Sequence, residues 1–133
     1  MVAFVNVPRY CGKFIFLFPG QCCAEHWHPD IKNKSGKEET IRILRGKLYA
    51  YGPGEPTKNI KAKMPLGVEK YFSCRHETIL NPGDQYTVGL NEKHWWQAGP
   101  NGAVALEVSS QSRDEYDLTT DDKLKIIIYP KSL

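Results

Sequence analysis

The sequence predicts an all-β fold, an antiparallel sandwich or barrel, and three observations carry that expectation. Glycine and proline recur at short intervals, at Pro19-Gly20, Gly36, Gly46, Gly52-Pro53-Gly54, Pro82-Gly83, Gly89, Gly99-Pro100 and Gly102. The runs between them are short and rich in β-branched and aromatic residues. No stretch keeps a helical period over a useful length.

The elements follow in order. "KFIFLF" (13–18) reads as a strand of aromatic and aliphatic residues. "TIRILR" (40–45) alternates, with Ile41 and Ile43 on one face and Arg42 on the other. That period of two is the mark of a half-buried strand. "KLYAYG" (47–52), "ETILN" (77–81), "QYTVG" (85–89), "HWWQAG" (94–99) and "AVALEVSS" (103–110) read the same way. Antiparallel runs of this kind close into a sandwich or barrel. The segment 53–65 reads as a long mobile excursion, and 121–125 as a brief helix. There are no repeats.

At 133 residues the chain has the length of a single domain, 1–133, which buries a core without crosslinks. The net charge of +3 is only mildly basic, and much of the excess falls on Lys58, Lys61, Lys63 and Lys70 in one loop-like segment. No basic stripe is interleaved with aromatics, so nucleic acid is not an expected partner. The longest apolar run, 14–18, is far too short to cross a bilayer. No charged leader with a cleavage site follows Met1. The four cysteines, Cys11, Cys22, Cys23 and Cys74, form no C-x-x-C pair. They read as free thiols in a reducing compartment, and the expected address is the cytoplasm.

One stretch, "EHWHPDIKNKSGKEET", carries chemistry. Residues two apart on a strand face the same way, so His26 and His28 present their rings to one side. Glu39 opens the strand 39–45, an expected neighbour of the strand bearing the histidines. His94, in "NEKHWWQ", supplies a further donor. Three imidazoles and one carboxylate without a thiolate suit Mn²⁺, Fe²⁺, Ni²⁺, Co²⁺ or Zn²⁺. On an octahedral ion, four protein ligands leave two open positions. Two adjacent oxygens of a sugar would fill them.

These residues resemble the two motifs of the cupin family. Gly20, "QCCAE", His26, Trp27, His28, a spacer, Glu39, "TIRILR" and Gly46 match the first, with a longer spacer than the common form. Gly83, "DQYTV", Gly89, Leu90, Asn91, "EK" and His94 match the second. Gly89 stands where proline is usual, and Asn91 stands where glycine is usual. Asn tolerates the left-handed conformation, so the turn is retained. Beyond the motifs, "YCGKFIFLFPGQ", "GKEET", "NPGDQYTV" and "HWWQAGPNGAVALEVSSQSRDEYD" resemble the small D-lyxose ketol-isomerases, from about Tyr10 to Asp121. The resemblance implies a double-stranded β-helix, or jelly-roll barrel. It also implies an aldose–ketose isomerase of the D-lyxose/D-xylulose type that depends on a divalent metal, Mn²⁺ first. D-mannose and L-ribose are further substrates it allows. His26, His28, Glu39 and His94 are the implied ligands, and a homodimer is the implied assembly.

Such a reaction moves a proton between C1 and C2 of an open-chain sugar. An enediolate must be stabilised, and a base and an acid must handle the proton. Glu107 interrupts the apolar run "AVALEV", where an unpaired carboxylate is costly. It reads as inward-facing and purposeful. Lys37 lies two residues before Glu39 and shares its side if the strand extends that far. These two are the first candidates for proton handling, with Glu115 behind them. Arg113, in the same "SRDEYD" stretch as Glu115, is a candidate to bind substrate at the barrel mouth. Trp96 shares the face of His94 and is expected to wall a sugar pocket. Trp95 is expected in the core, and Trp27 at a packing contact. Two other functions fit the donor set: an Fe²⁺ cupin dioxygenase and a non-catalytic sugar-binding cupin. The charged company of Lys37, Glu107 and Arg113 favours a polyhydroxylated substrate over the first.

Overall fold

A computed structural model describes residues 1–124. Among these residues, eight strands form one continuous hydrogen-bonded sheet: β1 (Val2–Asn6), β2 (Cys11–Leu17), β3 (Cys22–Trp27), β4 (Glu39–Gly52), β5 (His76–Leu80), β6 (Gln85–Val88), β7 (His94–Ser109) and β8 (Leu118–Thr119). All pairings are antiparallel. Two short 3-10 turns, Glu69–Tyr71 and Asp114–Tyr116, are the helical elements among the described residues. None of these is long and apolar enough to cross a membrane.

The organising pair is β4 and β7, which run together along almost their whole lengths. On its other edge, β7 pairs with β3 through its first half and with β2 through its second. The opposite edge of β4 pairs with β6 and then β5. Each long strand joins two runs that the glycines divide in the sequence: 40–45 with 47–52, and 94–99 with 103–110. Those glycines bend the strands without ending them. The β4–β7 register shifts between Ile43 and Arg45 and again between Gly46 and Leu48. Gly46 has φ 79°, and a Cβ there would come within 2.1 Å of the Gly102 carbonyl oxygen. Only glycine meets both demands, and the sheet turns its corner at this point.

The alternating pattern holds where the sequence shows it. Ile41 and Ile43 are each 1 % exposed, while Arg42 is exposed. They join Ile15, Leu48, Leu80, Val88 and Trp96 in the barrel core. A second cluster, Tyr51, Ala62, Phe72 and Trp95, lies under the segment that follows β4. Trp95 stacks on Tyr51 at 3.9 Å and meets Phe72 edge-on. Burying these rings supplies about 2 kcal/mol each.

Three expectations change here. The segment 53–65 is not a loose excursion: Lys63 exchanges two hydrogen bonds with the Gln97 side chain, and the Ala62 amide donates to Tyr51 Oη. The brief helix expected at 121–125 is a turn closed by Leu124 N–H to the Asp121 carbonyl, with position 125 outside the described residues. The strand bearing Glu39 is not hydrogen-bonded to the histidine strand. β7 lies between β3 and β4, and the barrel's curvature brings their ends together. β1 and β8, which the punctuation does not mark, pair with β2 and β3.

Candidate metal centre

His26, next to last in β3, pairs directly with His94, which opens β7. His28 follows one residue beyond β3. Glu39 opens β4, opposite Ser109 and Val88. The three imidazoles are buried, with ring centroids 4.2 to 5.2 Å apart. One ligand nitrogen from each lies within 4.8 Å of the others. Glu39 completes the set: Oε2 is 3.5 Å from His28 Nε2 and Oε1 is 3.4 Å from His94 Nε2.

The outer hydrogen bonds fix the tautomers. Nδ1 of His26 donates to the Ala24 carbonyl at 2.8 Å, and Nδ1 of His94 to the Glu92 carbonyl at 2.9 Å. Nδ1 of His28 donates to Asp117 Oδ1 at 2.7 Å. Carbonyl and carboxylate oxygens only accept, so each Nδ1 carries hydrogen and each neutral ring turns an Nε2 lone pair inward. The Nε2 atoms of His28 and His94 and Glu39 Oε1 are buried with no hydrogen-bond partner. Such orphaned acceptors are costly unless something electropositive is bound among them. The donor set fits a divalent cation of the Mn²⁺ to Zn²⁺ series.

The electrostatics of His26 and Glu39 agree with this. Burial, together with His94 and His28, pushes His26 down to about 3, so its ring is neutral and ready to ligate. Burial would raise the Glu39 carboxyl, yet the Lys37 ammonium beside it holds it well below the usual carboxylate range. Cys23 lines the same cavity, but burial and the neighbouring Cys22 and Glu39 push its thiol up to about 12. It is neither thiolate ligand nor nucleophile.

Beside this centre lies a second cluster. Lys37 Nζ is 2.5 Å from Glu39 Oε2, 3.3 Å from Glu107 Oε1 and 3.5 Å from Asp114 Oδ1. Lys13 Nζ is 2.6 Å from Asp114 Oδ2 and 3.5 Å from Glu107 Oε1. Glu107 is 2 % exposed and inward-facing, as its place in "AVALEV" predicts. Burial and the nearby Glu39 raise its carboxyl against the pull of Lys37 and Lys13. Lys37 is buried, not a solvated loop lysine. Burial would lower its ammonium, but Glu39, Glu107 and Asp114 raise it. That is opposite to the shift a lysine base needs, so Lys37 is a fixed cation. A cavity of about 560 Å³ opens onto both clusters, lined by His26, Glu39, Lys37, Lys13, Glu107 and Trp96 among others.

The other predicted residues divide. Trp96 walls this cavity, with its ring 5.1 Å from that of His94. Trp95 belongs to the second core cluster, and Trp27 is half-buried with Lys93 over its face. Arg113 lies behind the cavity, in a small recess with His28, Lys37 and Asp117, and donates to the Ser35 carbonyl. Glu115 is exposed on the second 3-10 turn and does not line the cavity. Its neighbours in the sequence, Asp114 and Asp117, are the carboxylates that face the site. Sequence reasoning missed Lys13, Asp114 and Asp117. Lys13 left a signal: it stands directly opposite Glu107 in the β2–β7 register, and each is a lone charge in an apolar strand.

No protein-family model matches the chain. It is 49 % identical over 127 residues to the D-lyxose/D-mannose isomerase of Thermosediminibacter oceani, covering 96 % of this chain and 70 % of that protein. It is 46 % identical over 125 residues to the D-lyxose ketol-isomerase of Cohnella laeviribosi, covering 94 % of this chain and 69 % of that one. Among solved structures, the L-ribose isomerase of Cellulomonas parahominis with L-psicose aligns with a TM-score of 0.76 at 17 % identity, over 90 % of this chain and 68 % of that one. At that identity the match shows the shared cupin-type fold alone. Nearly half of all positions shared with two ketol-isomerases, along almost the whole of this sequence, is a different order of likeness, and on it the chain belongs to the D-lyxose ketol-isomerase family of aldose–ketose isomerases.

Proposed function

We propose that this chain interconverts D-lyxose and D-xylulose, with D-mannose as a second aldose, using a divalent cation, Mn²⁺ first, held by His26, His28, His94 and Glu39. The observation that carries this reading is the convergence of inward-facing imidazole nitrogens and Glu39 at the wall of a cavity that also exposes Glu107 and Lys37. A bound cation would supply positive charge beside the substrate's C1 and C2 oxygens, where negative charge develops.

The chain's own residues supply the rest. Glu107, with its carboxyl raised, takes the proton from C2 of the aldose and returns it to C1, while the O2 hydroxyl proton passes to O1 to give the ketose. Lys37, held as an ammonium by three carboxylates, offers hydrogen bonds to the sugar oxygens at the mouth of the site. Trp96 presents an apolar wall to the sugar's C–H face and excludes water. Lys13, itself tied to Asp114, holds Glu107 in place. Arg113 and Glu115 have no part in these steps.

The chain acts as a homodimer in this reading, supported by the exposed aromatic row Phe4, Phe14 and Phe16 on the outer face of β1 and β2. Four unpaired thiols support the cytoplasmic address.

The test is to incubate metal-loaded protein with D-lyxose while following both D-xylulose and dissolved oxygen. Ketose formation without oxygen uptake is expected; oxygen uptake would mark the dioxygenase, and binding without turnover the sugar-binding module. Glu107→Gln should keep its metal and lose about 100-fold or more in kcat, whereas His94→Ala should lose metal and activity together. Full activity in Glu107→Gln overturns its role.

A further inference from the structure

Two of the three histidines are held by their own strands. His26 and His94 each donate Nδ1–H to the carbonyl two residues earlier, Ala24 and Glu92. His28 is different. Its Nδ1 donates to a carboxylate 89 positions away, Asp117 Oδ1, at 2.7 Å. Both side chains are buried, at 2 % and 7 % exposure, and the opposite nitrogen of the ring faces Glu39. An exposed pair of this kind would count for little, but a buried charge-assisted bond is strong and directional.

Asp117 is itself held. It closes the second 3-10 turn, with its amide donating to the Asp114 carbonyl at 3.2 Å. Upstream, Asp114 is tied to Lys13. Downstream, Leu118 and Thr119 pair with Trp27 and His26 as β8. Thr120 then bonds to Glu25 twice, through its amide to the carbonyl at 3.1 Å and through Oγ1 to Oε1 at 2.6 Å. The strap 112–120 is thus stapled across the end of β3, and Asp117 reaches His28 from a preorganised backbone.

We infer that Asp117 is a positioning residue for the metal: it orients His28 and fixes which of its nitrogens faces the centre. The inference rests on the metal reading of the preceding subsection. A carboxylate behind a ligating imidazole fixes the ring's rotation and tautomer and pushes electron density toward the metal-facing nitrogen, which a neutral carbonyl does less well. Removing such a partner typically costs 10- to 100-fold in metal affinity (about that range here too).

The experiment titrates metal-free protein with Mn²⁺ in competition with a fluorescent chelator. Asp117→Asn keeps the shape and one acceptor oxygen but removes the charge, and its Kd should rise by about 10- to 100-fold. Thr120→Val loosens the same strap while leaving Asp117 in place, and its Kd should stay at that of the unaltered chain. Asp117→Ser gives the same reading as Asp117→Asn should the latter not fold. An unchanged Kd in the Asp117 variants overturns the inference alone. An equal rise in Thr120→Val also overturns it, because the strap as a whole would then be responsible and not the carboxylate. Failure of the unaltered chain to bind Mn²⁺ overturns the metal reading and the inference together.

Discussion

At the scale of single residues, the site holds two ammonium groups and three carboxylates in one buried cluster: Lys13, Lys37, Glu39, Glu107 and Asp114. Burial would raise the Asp114 carboxyl, but Lys37 and Lys13 hold it down at about 2, against an ordinary 3.8. A depressed carboxyl stabilises the fold above its unfolded value, and that contribution disappears as pH falls through the folded one. Asp114 therefore contributes roughly 2 kcal/mol at neutral pH, lost between about pH 4 and pH 2. Asp114→Asn should lower the urea midpoint at pH 7 and converge with the unaltered protein near pH 2; parallel stability curves through that window would refute the pairing. Glu107 was legible in the sequence because an acid inside "AVALEV" must be compensated. Its partner Lys13 was legible only through register, since nothing local says that 13 lies opposite 107. Glu115 misled because "RDEYD" gives no period: a 3-10 turn, not a strand, decides which of its acids faces inward.

At the scale of elements, the spacer between His28 and Glu39 does more than connect. Gly36 is buried against the backbone of His28, and a Cβ there would lie 2.1 Å from the His28 carbonyl oxygen. Its amide donates to Asp30 Oδ1, which also accepts from Asn91 Nδ2. The long spacer therefore folds back on the histidine it follows and delivers Lys37 and Glu39 to the centre. Gly36→Ala should cost about 2 kcal/mol in stability and weaken metal binding with it. A variant as stable as the parent, with unchanged metal affinity, would show the contact to be slack. The ends of β3, β4 and β7 meet as the two motifs imply, and Asn91 adopts φ 57°, the left-handed turn that its place in the second motif requires. The strand order did not follow from the sequence. Periodicity gives which face a residue takes, but it says nothing about which strand lies between two others.

At the scale of the whole molecule, the barrel is a scaffold whose interior leaves the metal-facing acceptors unfinished. Apolar side chains fill the core elsewhere, while the metal-facing nitrogens of His28 and His94 and Glu39 Oε1 lie buried without a partner. A cation bound only by the folded chain should stabilise it by about 2.7 kcal/mol at a hundredfold excess over Kd. That corresponds to roughly 10 °C in Tm for a chain of this size, readable by thermal unfolding with and without Mn²⁺. The exposed aromatic row on β1 and β2 makes its own prediction: if the proposed homodimer forms, light scattering should give the unaltered chain the mass of a dimer and Phe16→Glu that of a monomer, whereas a monomeric unaltered chain would contradict the dimer and a dimeric Phe16→Glu the interface. The fold class was visible in the glycine punctuation and the period of two, because both act locally. The contacts of the strap 112–120 were not, since they exist only once distant segments have closed the barrel. The most direct measurement is a titration of metal-free protein with Mn²⁺ while D-xylulose formation from D-lyxose is followed. Turnover should rise from zero and level off at one equivalent per chain; full turnover before any metal is added would contradict the account.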